Sequence, residues 1–269
     1  MHPFLKWPGG KRWFIQRHAH FLPVSYKRYV EPFLGGGAVF FKLQPEAAIL
    51  GDANADVINT YKGIQSNWWQ IEQLLEHHQA RHSEPYYYEV RSRVPEDLIG
   101  QAARMLYLNR TCFNGIYRVN LKGEFNVPMG SKTTVVQEGE SLEAISKLLQ
   151  GAALHCSDFE LLIDQAGAGD FLFADPPYTV QHNNNGFIKY NEKLFTWEDQ
   201  ERLARALKRA RDRGVMIVST NANYNLLREI YRDFGFHLIE VSRYSSISAK
   251  ADSRRSFEEL IILSHPPKT

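Results

Sequence analysis

Seven short stretches of the chain concentrate β-branched and aliphatic residues between turn residues: 28–33, 47–52, 153–158, 170–175, 215–220, 236–242 and 258–264. Each reads as a strand. Between the fourth and fifth, "TWEDQERLARALKRARDRG" (196–214) has the apolar spacing of an amphipathic helix. Thr196 is placed to cap it, Glu198 and Asp199 suit its first turn, and Gly214 its end. Strands alternating with helices predict an α/β, doubly wound sheet. The rhythm breaks between roughly 60 and 150, where "WWQIEQLLEHHQARH", "EPYYYEVRSRV" and "IGQAARMLYLNR" are helical, followed by a Gly/Asn-rich basic stretch. This segment reads as a helical insertion in the α/β core. There is no internal repeat, and the one low-complexity run is "NNN" at 183–185.

Composition narrows the class without choosing the function. A chain of 269 residues is long enough for one large α/β domain or a core with an insertion. No 18-residue apolar run or apolar leader is present, so neither a membrane span nor a signal peptide is expected. Cys112 and Cys156 form no CxxC pair, which suits free thiols in a cytoplasmic setting.

The net charge of +2 says little, but its distribution says more. Residues 1–30 contain Lys6, Lys11, Arg12, Arg17, Lys27 and Arg28 and no acid. Residues 101–132 set Arg104, Arg110, Arg118, Lys122 and Lys132 against Glu124. Residues 243–256 set Arg243, Lys250, Arg254 and Arg255 against Asp252. These clusters suggest a positive face for a polyanion, with a solvated basic surface as the alternative.

Two stretches carry chemistry. "EPFLGGGAVFFKL" (31–43) runs from the first strand into a helix, and Gly35 to Gly37 permit a ligand to approach backbone N–H groups. Asp52, ending the next strand, is placed to accept hydrogen bonds from ribose hydroxyls. The glycine spacing departs from GxGxxG and no Lys follows it, which argues against NAD and ATP. Asp158 ends a third strand, with a helix N-cap as the plain alternative.

The second stretch is "DPPY" (175–178), at the end of the strand "DFLFAD". Two prolines remove donors and fix the backbone, so nearby carbonyls are available as acceptors. The Asp175 carboxylate and a rigid carbonyl can bind the two hydrogens of an exocyclic amine, and Tyr178 can stack on the base carrying it. The Asn-rich loop 181–191, with Phe187 and Tyr190, suits a lid. His78 and His82 lie four apart on a helix. With no third ligand evident, a solvated helix face is the expectation and no metal is assigned.

"FLKWPGGK" (4–11), "VEPFLGGGAVFF" (30–41), "GDANADVINTY" (51–61), "LYLNRTCFNGIYRVNLKGEFNVPMG" (106–130), "ADPPY" (174–178) and "SISAKADSRRSFEELI" (246–261) occur in an order with a consequence. Glycine motif, insertion, then DPPY resembles the Dam-like, class α (D12-type) DNA adenine-N6 methyltransferases. The resemblance covers nearly the whole chain. It implies a Rossmann-like, seven-stranded methyltransferase sheet with a helical target-recognition insertion. The catalytic core would be residues 1–60 and 149–269, and the DNA-reading domain residues 61–148. It implies S-adenosyl-L-methionine as cofactor and double-stranded DNA as partner, in a cytoplasmic, nucleoid-associated setting.

Residue by residue, the resemblance makes Asp175, Pro176 and Tyr178 catalytic. Trp7, Lys11, Phe33, Gly35, Gly37, Asp52, Asp158, Phe159 and Asp175 would hold the cofactor. Lys6, Phe113, Asn114, Ile116, Arg118 and Pro128 match positions that meet DNA in relatives reading GATC. Two departures stand out. Thr111-Cys112-Phe113 replaces an aromatic pair with glycine between, and "SAKADSRR" lacks the usual glycines. The competing readings are an RNA-adenine or protein-glutamine methyltransferase of the same fold, the latter usually resembling NPPY, and an inactive nucleic-acid-binding relative.

Overall fold

The computed structural model describes residues 1–120, 122–178, 195–244 and 256–267. The expected lid at 181–191 and the basic segment 248–255 lie outside them. All seven predicted strands are present: β1 (Tyr29–Glu31), β2 (Ala48–Asp52), β3 (Ala152–Cys156), β4 (Phe171–Ala174), β5 (Met216–Ala222), β6 (His237–Tyr244) and β7 (Ser256–Leu263). They form one mixed sheet in the order β3-β2-β1-β4-β5-β7-β6. This is the predicted Rossmann-like arrangement. β2 runs parallel to β3, and β4 parallel to both β1 and β5. β7 runs antiparallel to β5 and β6, which it separates. Strands covered on both faces need apolar residues at every position, and all of "FLFA" in β4 is buried.

The helices are α1 (Arg12–His18), α2 (Ala38–Leu43), α3 (Ala55–Arg81), α4 (Glu84–Ser92), α5 (Leu98–Thr111), α6 (Leu142–Leu149), α7 (Phe159–Ile163), α8 (Trp197–Asp212) and α9 (Asn225–Asp233). α8 starts as its sequence predicts. Thr196 Oγ1 accepts the Asp199 N–H at 3.1 Å, and the Asp199 carboxylate accepts the Thr196 N–H at 2.9 Å, a reciprocal capping box. Gly214 follows its end with φ of +87°. α1, α6 and α9 are absent from the sequence reading; they span only 7, 8 and 9 residues, and α9 begins without a capping side chain. No helix among the described residues is long and apolar enough to cross a membrane.

The chain divides into two compact units, Met1–Arg17 with Leu34–Ser157 and His18–Phe33 with Asp158–Thr269. In the first, the core lies where α3 packs on α5 and α6, around Ile64, Ile71, Leu106 and Tyr107. Gly63 permits that approach, since a Cβ there would sit 2.6 Å from the Ala102 Cβ. α3 breaks its helical backbone once, at Asn67.

The solvated face expected for His78 and His82 is not observed. His78 Nδ1 lies 2.7 Å from the Tyr86 hydroxyl and His82 Nδ1 2.9 Å from that of Tyr107. Burial, more than the neighbouring His77 and Arg81, lowers the His78 pKa to about 4. In the second unit, α8 turns Leu203, Ala206, Leu207 and Ala210 inward, and Leu172, Phe173, Ile217 and Leu260 fill the sheet.

Candidate functional site

In the second unit the site begins where β4 ends. Three neighbouring elements hold the strand end and the turn that follows it. From β5, Thr220 Oγ1 donates to Asp175 Oδ1 at 2.8 Å, and Ser219 Oγ donates to the Ala174 carbonyl at 2.8 Å. From α8, Gln200 Nε2 donates to the Pro177 carbonyl at 3.2 Å, while its own oxygen accepts from Asn221 Nδ2 at 2.8 Å. From β7, Glu259 Oε2 accepts the Tyr178 O–H at 2.8 Å.

Gln200, Ser219, Thr220 and Asn221 have no exposed surface. Burial, then the charges of Asp175 and Glu259, push the Tyr178 pKa well above its usual range, so the hydroxyl keeps its proton. Of the carbonyls expected to face outward beside the prolines, that of Pro177 is instead turned inward to Gln200. Among the described residues none donates to the carbonyl of Pro176. Sequence reasoning missed Gln200, Thr220 and Glu259. The available signal was the run of polar residues Ser219-Thr220-Asn221 late in β5 and the pair of acids before the apolar run of β7.

The same unit holds an aromatic cluster. Phe33 stacks on Phe159 with centroids 5.3 Å apart, and Phe195 stands edge-on to Phe33 at 5.7 Å. Asp158 takes the helix-cap role, accepting the Glu160 N–H at 2.9 Å. Its other oxygen pairs with Arg202, whose guanidinium lies 4.5 Å above the Phe159 ring.

In the first unit Asp52 closes β2, and both its oxygens are engaged. Oδ2 accepts the Gly35 N–H and Oδ1 the Asn54 N–H, each at 2.9 Å. Burial raises its pKa while those two bonds oppose the rise. A carboxylate has about four acceptor positions, so each oxygen retains capacity for a hydroxyl donor. Two of the three glycine amides expected to face a ligand are engaged within the chain. The Gly35 N–H goes to Asp52 and that of Gly37 to the Leu34 carbonyl at 2.7 Å.

Closeness to Trp7 is what Gly35 provides. Its φ is +47°, and a Cβ there would lie 2.5 Å from Trp7 Cδ1. Lys11 is buried, with its Nζ donating to the Gly9 carbonyl at 3.0 Å.

The basic stretch after α5 forms an irregular hairpin. Phe113 N–H bonds the Pro128 carbonyl (2.9 Å), Gly130 N–H that of Thr111 (2.8 Å), and Asn120 N–H that of Glu124 (2.9 Å). Phe113, Asn114, Ile116, Arg118 and Pro128 are all exposed on it, and Asn114 takes a left-handed backbone with φ of +55°. Asn126 fixes the Arg118 guanidinium, accepting from Nε at 2.8 Å.

Lys6 is brought to this hairpin by the buried Asn109. That side chain accepts the Lys6 N–H and donates to the Lys6 carbonyl, both at 2.9 Å. The Trp7 ring packs at a tilt on that of Tyr117, with centroids 5.1 Å apart, and the Tyr117 hydroxyl donates to Asp56 at 2.8 Å. Asn109 and Tyr117 also escaped the sequence reading.

Two expected members of the basic face are not on it. Arg104 bonds the carbonyls of Val90 and Arg91, and Arg110 pairs with Glu140 at 2.6 Å while 2% exposed. Lys122 is exposed.

A doubly wound sheet with an acid-Pro-Pro-aromatic turn at one strand end and a basic hairpin defines a class, that of amino-directed methyltransferases acting on nucleic acid. Residues 7–247 match the model of the D12 class N6 adenine-specific DNA methyltransferases, and the chain belongs to that family. It is a DNA adenine methyltransferase. It is 37% identical to the type II methyltransferase M1.LlaDCHI of Lactococcus lactis subsp. cremoris, over 98% of this chain and 96% of that one. It is 32% identical to the DNA adenine methylase of Escherichia coli K12, over 98% and 95%. Against the DNA N-6-adenine-methyltransferase of Escherichia phage P1 it is 38% identical, over 93% of this chain and 33% of that longer one.

Proposed function

We propose that the methyl donor is S-adenosyl-L-methionine and that the target is the adenine of GATC in duplex DNA, with residues 61–148 reading sequence and residues 1–60 and 149–269 forming the methyltransferase core. The observation that carries the chemistry is the strand-end motif. Asp175 is oriented by Thr220, the Pro176 carbonyl receives no donor from the described residues, and Tyr178 is anchored by Glu259.

The donor set fits the proposed cofactor. Asp52 has acceptor capacity for ribose hydroxyls, the Lys11 ammonium suits a carboxylate, and Phe33, backed by Phe159, offers an apolar ring to an adenine. Trp7, Gly35, Gly37 and Asp158 complete the proposed set. When bound, the cofactor supplies an electrophilic methyl group.

The chain's own residues handle the base. Adenine N6 shares its lone pair with the ring and faces thymine inside a duplex, so the nucleotide must be extruded at a cost of a few kcal/mol. Stacking on Tyr178 offsets roughly 1–3 kcal/mol. Asp175 and the Pro176 carbonyl accept the two N6–H bonds, which localises the lone pair and orients it. Positioning of this kind supplies much of the rate.

Sequence reading falls to the hairpin. Arg118 would bond guanine O6 and N7, Ile116 and Pro128 touch a thymine methyl, and Phe113 and Asn114 hold the opened duplex. Lys6 would read the guanine next to the target adenine. The cytoplasm, on nucleoid DNA, is the proposed place of action.

Sequencing methylated DNA from cells expressing the chain tests the target. Methyladenine confined to GATC, and loss of discrimination by about 1–3 kcal/mol at one base pair in Arg118→Ala, is expected. Methyladenine elsewhere with GATC unmodified refutes the assignment.

A further inference from the structure

A carboxylate sits where the sheet has most reason to exclude one. Glu259 lies on β7, the strand between β5 and β6, opposite Ala222 on one side and Val241 on the other, and is 5% exposed. The next residues of the strand, Leu260, Ile261, Ile262 and Leu263, have no exposed surface. Burying an ionisable acid among such neighbours is unfavourable unless its hydrogen bonds repay the lost hydration. Glu259 directs one of them at Tyr178, accepting the phenolic hydrogen at 2.8 Å.

Stacking requires only the face of an aromatic ring, and phenylalanine would provide it. A hydroxyl at the far end adds a single fixed point, which sets where the ring lies and how far it can swing. Charge-assisted hydrogen bonds are the stronger kind, and a partner at a strand centre does not move. Asp175 is held by Thr220 from the neighbouring strand β5, which also lies within hydrogen-bond reach of Tyr178, whereas the carboxylate that accepts the phenolic hydrogen comes from β7.

We propose that Glu259 is a positioning residue for methyl transfer, acting through Tyr178 by fixing its ring in the plane that receives the extruded adenine. The inference rests on the reading of Tyr178 as the stacking residue. Glu259 touches neither donor nor base in this role. It therefore governs turnover of the bound adenine and leaves donor affinity alone.

Steady-state kinetics with S-adenosylmethionine and duplex DNA test this in four variants, each checked by thermal melting. Glu259→Leu removes the acceptor, and its kcat should fall about tenfold or more with KM for the donor within about twofold. Glu259→Gln keeps an acceptor oxygen and should retain kcat within about threefold. Tyr178→Phe should reproduce the Leu variant, and the double variant Tyr178→Phe/Glu259→Leu should be no worse than the single ones, the signature of one shared interaction.

With 2-aminopurine at the target position, the Leu variant should leave the extruded base brighter, because the ring no longer stacks on it. If Glu259→Leu does not fold, Glu259→Gln and Tyr178→Phe carry the comparison, with only the latter impaired. Wild-type kcat in Glu259→Leu, losses that multiply in the double variant, or a fully active Tyr178→Phe would each overturn the role. Wild-type protein that transfers no methyl group to DNA would instead defeat the underlying reading of the site.

Discussion

Arg104 belongs by sequence to the basic stretch and by structure to the interior, and the two placements make opposite predictions. Its Nε donates to the Val90 carbonyl at 2.9 Å and its Nη2 to that of Arg91 at 2.6 Å. Both carbonyls belong to the last turn of α4, where no intrahelical donor remains for them. Replacing Arg104 with Met keeps most of the volume and removes both bonds. A hydrogen bond to a charged group contributes about 1.5–3 kcal/mol. Dehydration of the guanidinium offsets part of this, and burial lowers its pKa accordingly. The net loss is then about 2–3 kcal/mol, a fall in Tm of roughly 5–10 °C for a chain of this size. A residue that neutralises a DNA phosphate would instead contribute about one unit to the slope of log affinity against log salt. Thermal melting and DNA binding at several salt concentrations separate the cases. A variant that melts like the wild type and loses about one unit of salt slope would refute the structural placement.

Asp175→Ala should abolish methyl transfer while DNA binding survives; a filter-binding and labelled-methyl assay showing turnover near wild type would refute its role. Asp52→Ala should weaken donor binding by about 1–2 kcal/mol through loss of a hydroxyl acceptor, read by calorimetry. Burial lowers the His78 pKa to about 4 in the folded chain, so its contribution is fully present above pH 6.5 and is lost as pH falls toward 4, by at most about 3 kcal/mol. Denaturant unfolding of His78→Gln should therefore approach the wild type as pH drops across that window, and parallel curves would contradict the assignment.

The strands and the motifs were legible because each rests on local chemistry. An apolar run bounded by turn residues is a strand wherever it lies, and Thr196 with Asp199 announces a helix start without tertiary help. What remained hidden depends on which residues meet across the chain. Nothing near Glu259 in sequence points to Tyr178, 81 residues earlier. The glycines were correctly seen as a site of close approach, yet the approaching group is Trp7, 28 residues away and invisible to a local pattern. Charge misled for a similar reason. Arg104 and Arg110 look like Arg118 in a list of basic residues, and only packing shows that two of the three serve carbonyls and an acid.

The hairpin after α5 closes on itself through backbone bonds, and the five residues proposed to meet DNA are exposed on it. The frame and its vocabulary are thus separable. On the proposed reading, a change at the exposed Ile116, Arg118 or Pro128 would alter what is read while leaving the core untouched, so mutation could explore new words at little risk to the fold. On that reading a new target would call for changes at this outward edge, while Asp175, Pro177 and Tyr178 keep the partners that hold them.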